Sequence, residues 1–492
     1  MRTTFFILLF GALFSVNLSA QTDTMAVSLE EIVALAQSDA PDALVAEMQM
    51  RNRYWAYQSV LSNYKPGLIF RGQLPTLDRR ISLITAPNGT TAFVKVSNLQ
   101  NAATLSLNQN IAATGANVYA GTGLSRLDQL NPGVPNTHSY FSNPFFFGFN
   151  QPILGFNSLK WDKKIAPLRY QEATREYAEQ TESVGYDASA LFFEVFIAQL
   201  NLRSARQDKA NADTLYNISK GRFDVGRIAE TELLQIELSA MNANAAVQRA
   251  LLDLQTGTER LRNFLGLKKS VFFRMNAPED IPDFTVNPEE ALKYANSSRS
   301  DVVRFERTLV EAEADVAQAK ANRGFQFSLG GEVGFSNRAD NLSNAYKSLD
   351  DQEYLGVNIQ VPILDWGRGE AILETALTNQ ELSKLQVEQQ RVNFEQEILL
   401  KVKQFDLLRN QVELSKRAYD VSLKREEMTR NRYYIGKIDV LDLGVAVTEK
   451  ESARVGYMNS LRAFWLAFYD LRRSTLFDFE RNVSLVRRVE GY

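Results

Sequence analysis

Cysteine is absent from all 492 residues. Disulfides, thiolate metal sites, a cysteine nucleophile and a lipidated cysteine anchor are therefore excluded. Histidine is nearly absent. The one copy, His138, lies in the Pro/Asn/Gly-rich stretch Leu130–Asn143 and reads as a solvated loop side chain rather than a base or ligand. Neither sign of charge dominates: 23% of residues are charged and the formal net charge is −3, so nucleic acid has no electrostatic case as a partner. Glycine-rich phosphate loops, metal clusters and triad spacings are missing. No enzyme, no cofactor and no metal site is expected. Long apolar runs are missing too. After residue 20 no stretch of about 18 apolar residues occurs, so no transmembrane helix is expected.

What is present begins with an export signal. Arg2 supplies a positive start, Phe5–Val16 an apolar stretch, and Ser19-Ala20 small residues for cleavage, so residues 1–20 are read as a signal peptide cut after Ala20.

The rest of the chain repeats itself. Arg222-Phe-Asp-Val-Gly226 matches Arg432-Tyr-Tyr-Ile-Gly436, an offset of 210 (436 − 226). Gln151-Pro152-Ile-Leu matches Val361-Pro362-Ile-Leu, again 210 (362 − 152). Val27-Ser-Leu-Glu30 matches Val286-Asn-Pro-Glu289 at 259 (289 − 30), so about 49 extra residues (259 − 210) lie between Pro66 and Gln151. The expected organisation is a first repeat over 21–270, a linker over 271–288, a second repeat over 289–476 and a tail over 477–492.

Each repeat has the same order. A helical segment of roughly 35 residues (Leu29–Asn63; Glu289–Arg323) leads into an alternating region, about 66–152 and about 325–362. A helical segment of about 60 residues follows (Asn157–Lys220; Gly367–Arg430), then a tight turn at 221–227 or 431–437 and a final helix. At 1.5 Å per residue the long segments reach about 90–100 Å and need a partner along their length. Ile398, Phe405, Val412 and Tyr419, seven residues apart, supply such a seam. Val195 and Leu202 repeat it in the first half.

The alternating regions read as strands with one apolar and one polar face. Phe325, Phe327 and Leu329 alternate with Gln326 and Ser328; Leu355, Val357 and Ile359 with Gly356, Asn358 and Gln360; Leu105 and Leu107 with Ser106 and Asn108. An outer-membrane barrel wall and the edge of a soluble sandwich both show this pattern; export and aromatic density favour the barrel. The run Phe145-Phe146-Phe147-Gly148-Phe149 suits a lipid-facing wall or girdle. Four to six strands are too few to close a barrel, which needs about eight, and open edges do not persist in lipid. Several chains must therefore build it together.

With its duplicated plan, the paired Gly226 and Gly436 turns and the segment Pro362-Ile-Leu-Asp-Trp-Gly-Arg-Gly369, the chain resembles the TolC-like outer membrane efflux protein family across nearly its whole mature length. The resemblance implies an α+β membrane protein. A homotrimer would pool four strands per protomer into a 12-stranded transmembrane β-barrel in outer-membrane lipid, with a long periplasmic α-helical barrel. Such a protein is the exit duct of a tripartite efflux pump or type I secretion system. It conducts passively from an inner-membrane transporter and a periplasmic adaptor protein. The stretch Ala103–Leu127, with Thr114-Gly115 as a turn, is extra to the family plan. Barrel wall, extracellular flap and barrel base remain open for it.

The resemblance also implies site residues. Asp442 matches an acid that constricts the periplasmic aperture, and Asp439 lies three residues before it on the same helical face. Both equally suit a helix N-terminus. A second family acid is Val445 here. Tyr433 matches a closed-state latch whose partners would be Thr231 and Glu232; a latch arginine is replaced by Ile438. Packing in a coiled coil is the alternative role for Tyr433. The turns Gly226 and Gly436, with Val225 and Ile435, would dock the adaptor. The competing reading of the whole chain is an exported coiled-coil scaffold or adhesin without a channel.

Overall fold

The computed structural model describes residues 24–85, 89–130, 135–268, 272–276, 278 and 281–486; the expected signal peptide lies outside them. The described residues form two compact units, each drawn from three stretches of chain: up to Val45, Gln180–Thr285 and Lys403–Arg473 in one, and Ala46–Glu179, Val286–Val402 and Ser474 onward in the other.

The duplication is visible in the element ends. The long helices are α3 (Ser158–Asp224) and α7 (Arg368–Tyr434), each of 67 residues and shifted by 210 (368 − 158) at both ends. Their partners are α4 (Glu230–Phe264) and α8 (Val440–Thr475). The heptad seam is buried at Ile398, Phe405 and Val412, and at their mates Val195 and Leu202. Tyr419 is half-buried and stacks on Tyr457. Around Phe405, the rings of Phe284 and Phe464 lie 5.3 and 5.2 Å away.

The opening helix of each repeat is two helices, not the single one expected. They are α1 (Leu29–Asp39) and α2 (Pro41–Ser62), then α5 (Pro288–Ser298) and α6 (Ser300–Arg323). The breaks fall at repeat-equivalent residues, Ala40 and Arg299 (299 − 40 = 259), both extended. At Ala40 the cause is Pro41, which disfavours helix in the residue before it and starts the next helix well. Arg299 precedes no proline. There the carboxylate of Glu179 accepts from Ser300 N–H (2.6 Å) and Ser300 Oγ (3.0 Å), capping α6 from outside. The starts of α1 and α5 are capped by Ser28 and Asn287, again 259 apart.

The expected linker contains β6 (Phe272–Asn276), which pairs in parallel with β1 (Thr24–Ser28). In the tail, β9 (Phe477–Asp478) and β10 (Val483–Ser484) pair antiparallel.

The main sheet has six strands where the resemblance implied four. They are β2 (Gly67–Thr85), β3 (Thr91–Ile111), β4 (Ala116–Gln129), β5 (Thr137–Pro152), β7 (Gln326–Ala339) and β8 (Asp350–Gln360), antiparallel in that order. The extra residues join this sheet as a hairpin, turning at Gly115 with φ +77°. His138 is not in a loop: it opens β5 opposite Asp128. Along the row of Leu68 apolar and polar faces are separated as expected, while Arg79, Asp351 and Glu353 also lie on the apolar face. Leu68, Leu107, Ala120, Phe147 and Val333 share one face through consecutive pairings, and the large ones are exposed. Ser106, Asn108, Tyr119 and Glu332 lie on the other.

Side chains tie the lower turns of the sheet to the helix ends beside them. Asn157 donates to Ala112 O (2.9 Å) and caps α3 by accepting from Lys160 N–H (3.0 Å). Tyr64 donates to Leu159 O (2.9 Å). In the second repeat Asp365 performs the capping, accepting from Gly369 N–H (2.8 Å) and Gly367 N–H (3.1 Å). Those two amides hold its carboxyl below the usual range, Gly369 foremost. A Cβ on Gly369 would crowd that carboxylate, and Gly367 takes φ +83°. The glycines of the quoted motif thus serve a helix start.

Candidate functional site

Both helical turns end in the same backbone device. Gly226 and Gly436 have φ +71° and +73°. Gly226 N–H donates to Phe223 O and Arg227 N–H to Arg222 O, both 2.8 Å; Gly436 and Lys437 repeat this with Tyr433 O and Arg432 O at 2.9 and 3.0 Å. This is the Schellman termination, which glycine enters without steric penalty. Just before each glycine stands an exposed apolar residue, Val225 at 69% and Ile435 at 66%. Both turns therefore present a small apolar knob on a tightly bonded backbone.

Tyr433 is buried, at 2% exposure. Its hydroxyl lies 3.4 Å from Ser219 Oγ on α3, and the Arg222 guanidinium sits 5.5 Å above its ring. Arg222 also donates to Tyr434 O at 3.2 Å. The expected partners, Thr231 and Glu232, make no side-chain hydrogen bond to it among the described residues. The last turn of α7 is thus tied by side chains to α3 just before the first turn. Ser219 and Arg222 were missed because nothing local in sequence couples them to Tyr433. The repetition of an arginine at 222 and 432 was the one available signal.

Asp439 and Asp442 have separate duties. Asp439 is the N-cap of α8: its Oδ1 accepts from Asp442 N–H at 2.9 Å. The Asp442 carboxylate is exposed. Its repeat mate is Glu232 (442 − 232 = 210), which stands at the same place in the first turn of α4. Val445 is exposed where a second acid was sought.

Further along the same helices a charged network binds α3 to α8. Lys450 Nζ reaches Asp208 at 3.1 Å and Glu451 at 3.2 Å; Arg454 reaches Glu451 at 2.8 Å and Asn201 at 2.9 Å. Between the network and the turns, a 410 Å³ cavity lined by Ile236, Glu426, Tyr434, Leu443 and others separates the two helical pairs. No group of acidic or histidine side chains arranged for a metal occurs among the described residues.

Comparison with known proteins agrees with this geometry. A family model described as outer membrane efflux protein matches residues 95–267 and 291–475. The TolC outer membrane protein of Vibrio cholerae is 24% identical over 267 residues, 54% of this chain and 58% of that protein, so the match spans under two thirds of the relative. Among solved structures, the Campylobacter jejuni CmeC outer membrane channel superposes with a TM-score of 0.66 at 16% identity, over 93% of this chain and 87% of that one. VceC of Vibrio cholerae gives 0.64 at 15% identity, over 91% and 95%. Those superpositions speak for the fold, and the matched residues, which take in both long helices, both glycine turns and most of the sheet, speak for descent: this chain belongs to the outer membrane efflux protein family.

Proposed function

We propose that the chain is the protomer of a homotrimeric exit duct in the outer membrane, serving a tripartite efflux pump or type I secretion system. The observation that carries this reading is the main sheet, with its apolar residues on one face, polar residues on the other, and two open edges. Such a sheet suits a wall between lipid and water and needs other copies to cover its edges. The exported helical unit then belongs to the periplasm, with Val225-Gly226 and Ile435-Gly436 as the docking points of a periplasmic adaptor. An inner-membrane transporter feeds the duct, and conduction through it is passive. Tyr433 on Ser219 and Arg222 holds the closed arrangement, with Thr231 and Glu232 within reach of a neighbouring copy. Asp442 rings the aperture, joined by Glu232, while Asp439 supports the helix that carries it.

Single-channel recording on the purified protein in a planar bilayer tests the reading. A trimer that inserts and conducts in discrete steps supports it. Insertion without conductance, even for Asp442→Ala, would leave a scaffold or adhesin instead.

A further inference from the structure

We propose that the hairpin β3–β4 is barrel wall, so that three copies close a barrel of eighteen strands, three sets of the six seen here. In that barrel β8 of one copy pairs with β2 of the next. This rests on the trimeric duct proposed above and specifies its size and its seam.

The hairpin is built into the middle of the sheet. β3 and β4 are each hydrogen-bonded on both sides, along 14 consecutive pairs between themselves. They carry the apolar band at the level of the other strands: Leu107 and Ala120 sit between Leu68 and Phe147 in one row. Their other face is polar, with Ser106, Asn108 and Tyr119. A flap over an opening would need no such alternation in phase with its neighbours. The strongest tie is Tyr119, on the hairpin. Its ring crosses β5 above Gly148, and its hydroxyl donates to Glu332 Oε2 on β7 at 2.9 Å. A Cβ on Gly148 would overlap that ring. A glycine on β5 and a carboxylate on β7 are thus both fitted to a residue of the extra hairpin.

The free edges then identify their occupant. β2 runs away from the helical ends of the sheet and β8 runs back toward them, so a second copy meets the edge in the antiparallel sense used throughout. Glu353 is level with Leu68 in the sheet, so β8 sits low against β2. A stagger of about seven residues, of the kind barrel closure requires, lays the whole of β8 along the lower two thirds of β2. It also brings Asp351 diagonally toward Arg79 on one face, and Asp350 toward Arg80, which already pairs with Asp78 at 3.4 Å, on the other. Asp350 and Asp351 make no ion pair among the described residues, and Asp351 shares the apolar face with Arg79. A carboxylate on a lipid-facing surface needs such a partner. Because diameter grows roughly linearly with strand number, the lumen is about 1.5 times as wide as that of a 12-stranded barrel.

The absence of cysteine makes the test clean. Gln352→Cys on β8 is combined in turn with Gln73→Cys, Thr76→Cys or Asp78→Cys on β2, and outer membranes are oxidised. Covalent dimers and trimers at one of these positions are expected. In parallel, Ser106→Cys and Ala120→Cys are labelled with a membrane-impermeant maleimide, and Ala120→Cys is expected to react roughly tenfold more slowly, since it faces hydrocarbon. A gel of the same samples without heating reads the trimer. Trimers with no β2–β8 cross-link, or with both faces of the hairpin labelled alike, overturn the eighteen-strand barrel and leave the duct standing. Failure to find any trimer removes both.

Discussion

The hydroxyl of Tyr433 faces Ser219 Oγ at 3.4 Å, bringing the end of α7 onto α3 across 214 residues of sequence. That distance is beyond the usual range for a hydroxyl pair, so the bond itself is weak. The buried ring and the Arg222 guanidinium above it do more of the holding. Tyr433→Phe should therefore cost at most about 0.5 kcal/mol and raise the open population about twofold. Tyr433→Ala should cost about 4 kcal/mol through the cavity it leaves. Conductance of each variant in a bilayer separates the two. If Phe proves as leaky as Ala, the hydroxyl and not the ring is the latch.

Asp439 and Asp442 should part company under mutation. Asp439→Ala removes an N-cap and should lower local stability of α8 by about 1 kcal/mol, read as faster amide exchange in its first turn, while Asp439→Ser restores it. Asp442→Asn leaves the cap in place and should instead reduce cation preference, because the carboxylate ring proposed for the trimer would be lost. Reversal potentials in a salt gradient measure this. A matching loss is expected for Glu232→Gln, its repeat mate, and the double variant should show the larger shift. Unchanged selectivity in the double variant would confine both acids to helix starts.

The turns can be separated into backbone and surface roles. Gly436→Val forces a branched side chain into the left-handed region, costing about 1–2 kcal/mol, and should impair folding and docking together. Gly436→Asn, which tolerates that region, should retain the turn. Ile435→Asp and Val225→Asp leave the glycines alone and change only the exposed knobs. They should yield stable trimers whose cross-linking to the cognate adaptor falls at least about fivefold, the effect of roughly 1 kcal/mol at a contact. Wild-type cross-linking in both variants would place docking elsewhere.

Much of this architecture is legible in the sequence because it is duplicated. The offset of 210 between Gly226 and Gly436 reappears in the ends of α3 and α7. Arg299 escaped because a helix break supplied by another segment, as Glu179 supplies it to Ser300, leaves no local mark, whereas the break at Ala40 is marked in the sequence by Pro41. The strand pattern of β2 is blurred by Arg71, Pro75, Arg79 and Arg80 and by a register shift between Gln73 and Thr76, so period-two reading fails there. The extra hairpin was visible as Leu105, Leu107 and Thr114-Gly115. Its place among the other strands was not, because register is decided by distant partners such as Glu332 for Tyr119. Ser219 is hidden for the same reason.

Acid should loosen α8 from α3 at the Lys450 network. Burial pushes the Glu451 carboxyl up, but Arg454 and Lys450 together outweigh it, and its pKa falls below the ordinary 4.5. Burial likewise opposes the charge on Lys450, and Asp208 and Glu451 reverse that, holding it above the ordinary 10.5. A carboxyl lowered on folding stabilises the fold fully above its unfolded value and loses that contribution as the pH falls through the folded value. A raised lysine contributes fully below 10.5 and loses its part only in stronger base. The network is therefore at full strength between about pH 5 and pH 10. Glu451→Gln should cost about 2 kcal/mol at neutral pH, less than for a fully buried pair because Glu451 keeps some solvent. The difference between wild type and variant should shrink as the pH is lowered from 5 to about 3. Amide exchange in α8, followed on detergent-solubilised protein at both pH values, reads it. A difference that stays constant into acid would mean that Glu451 acts by packing and not by charge.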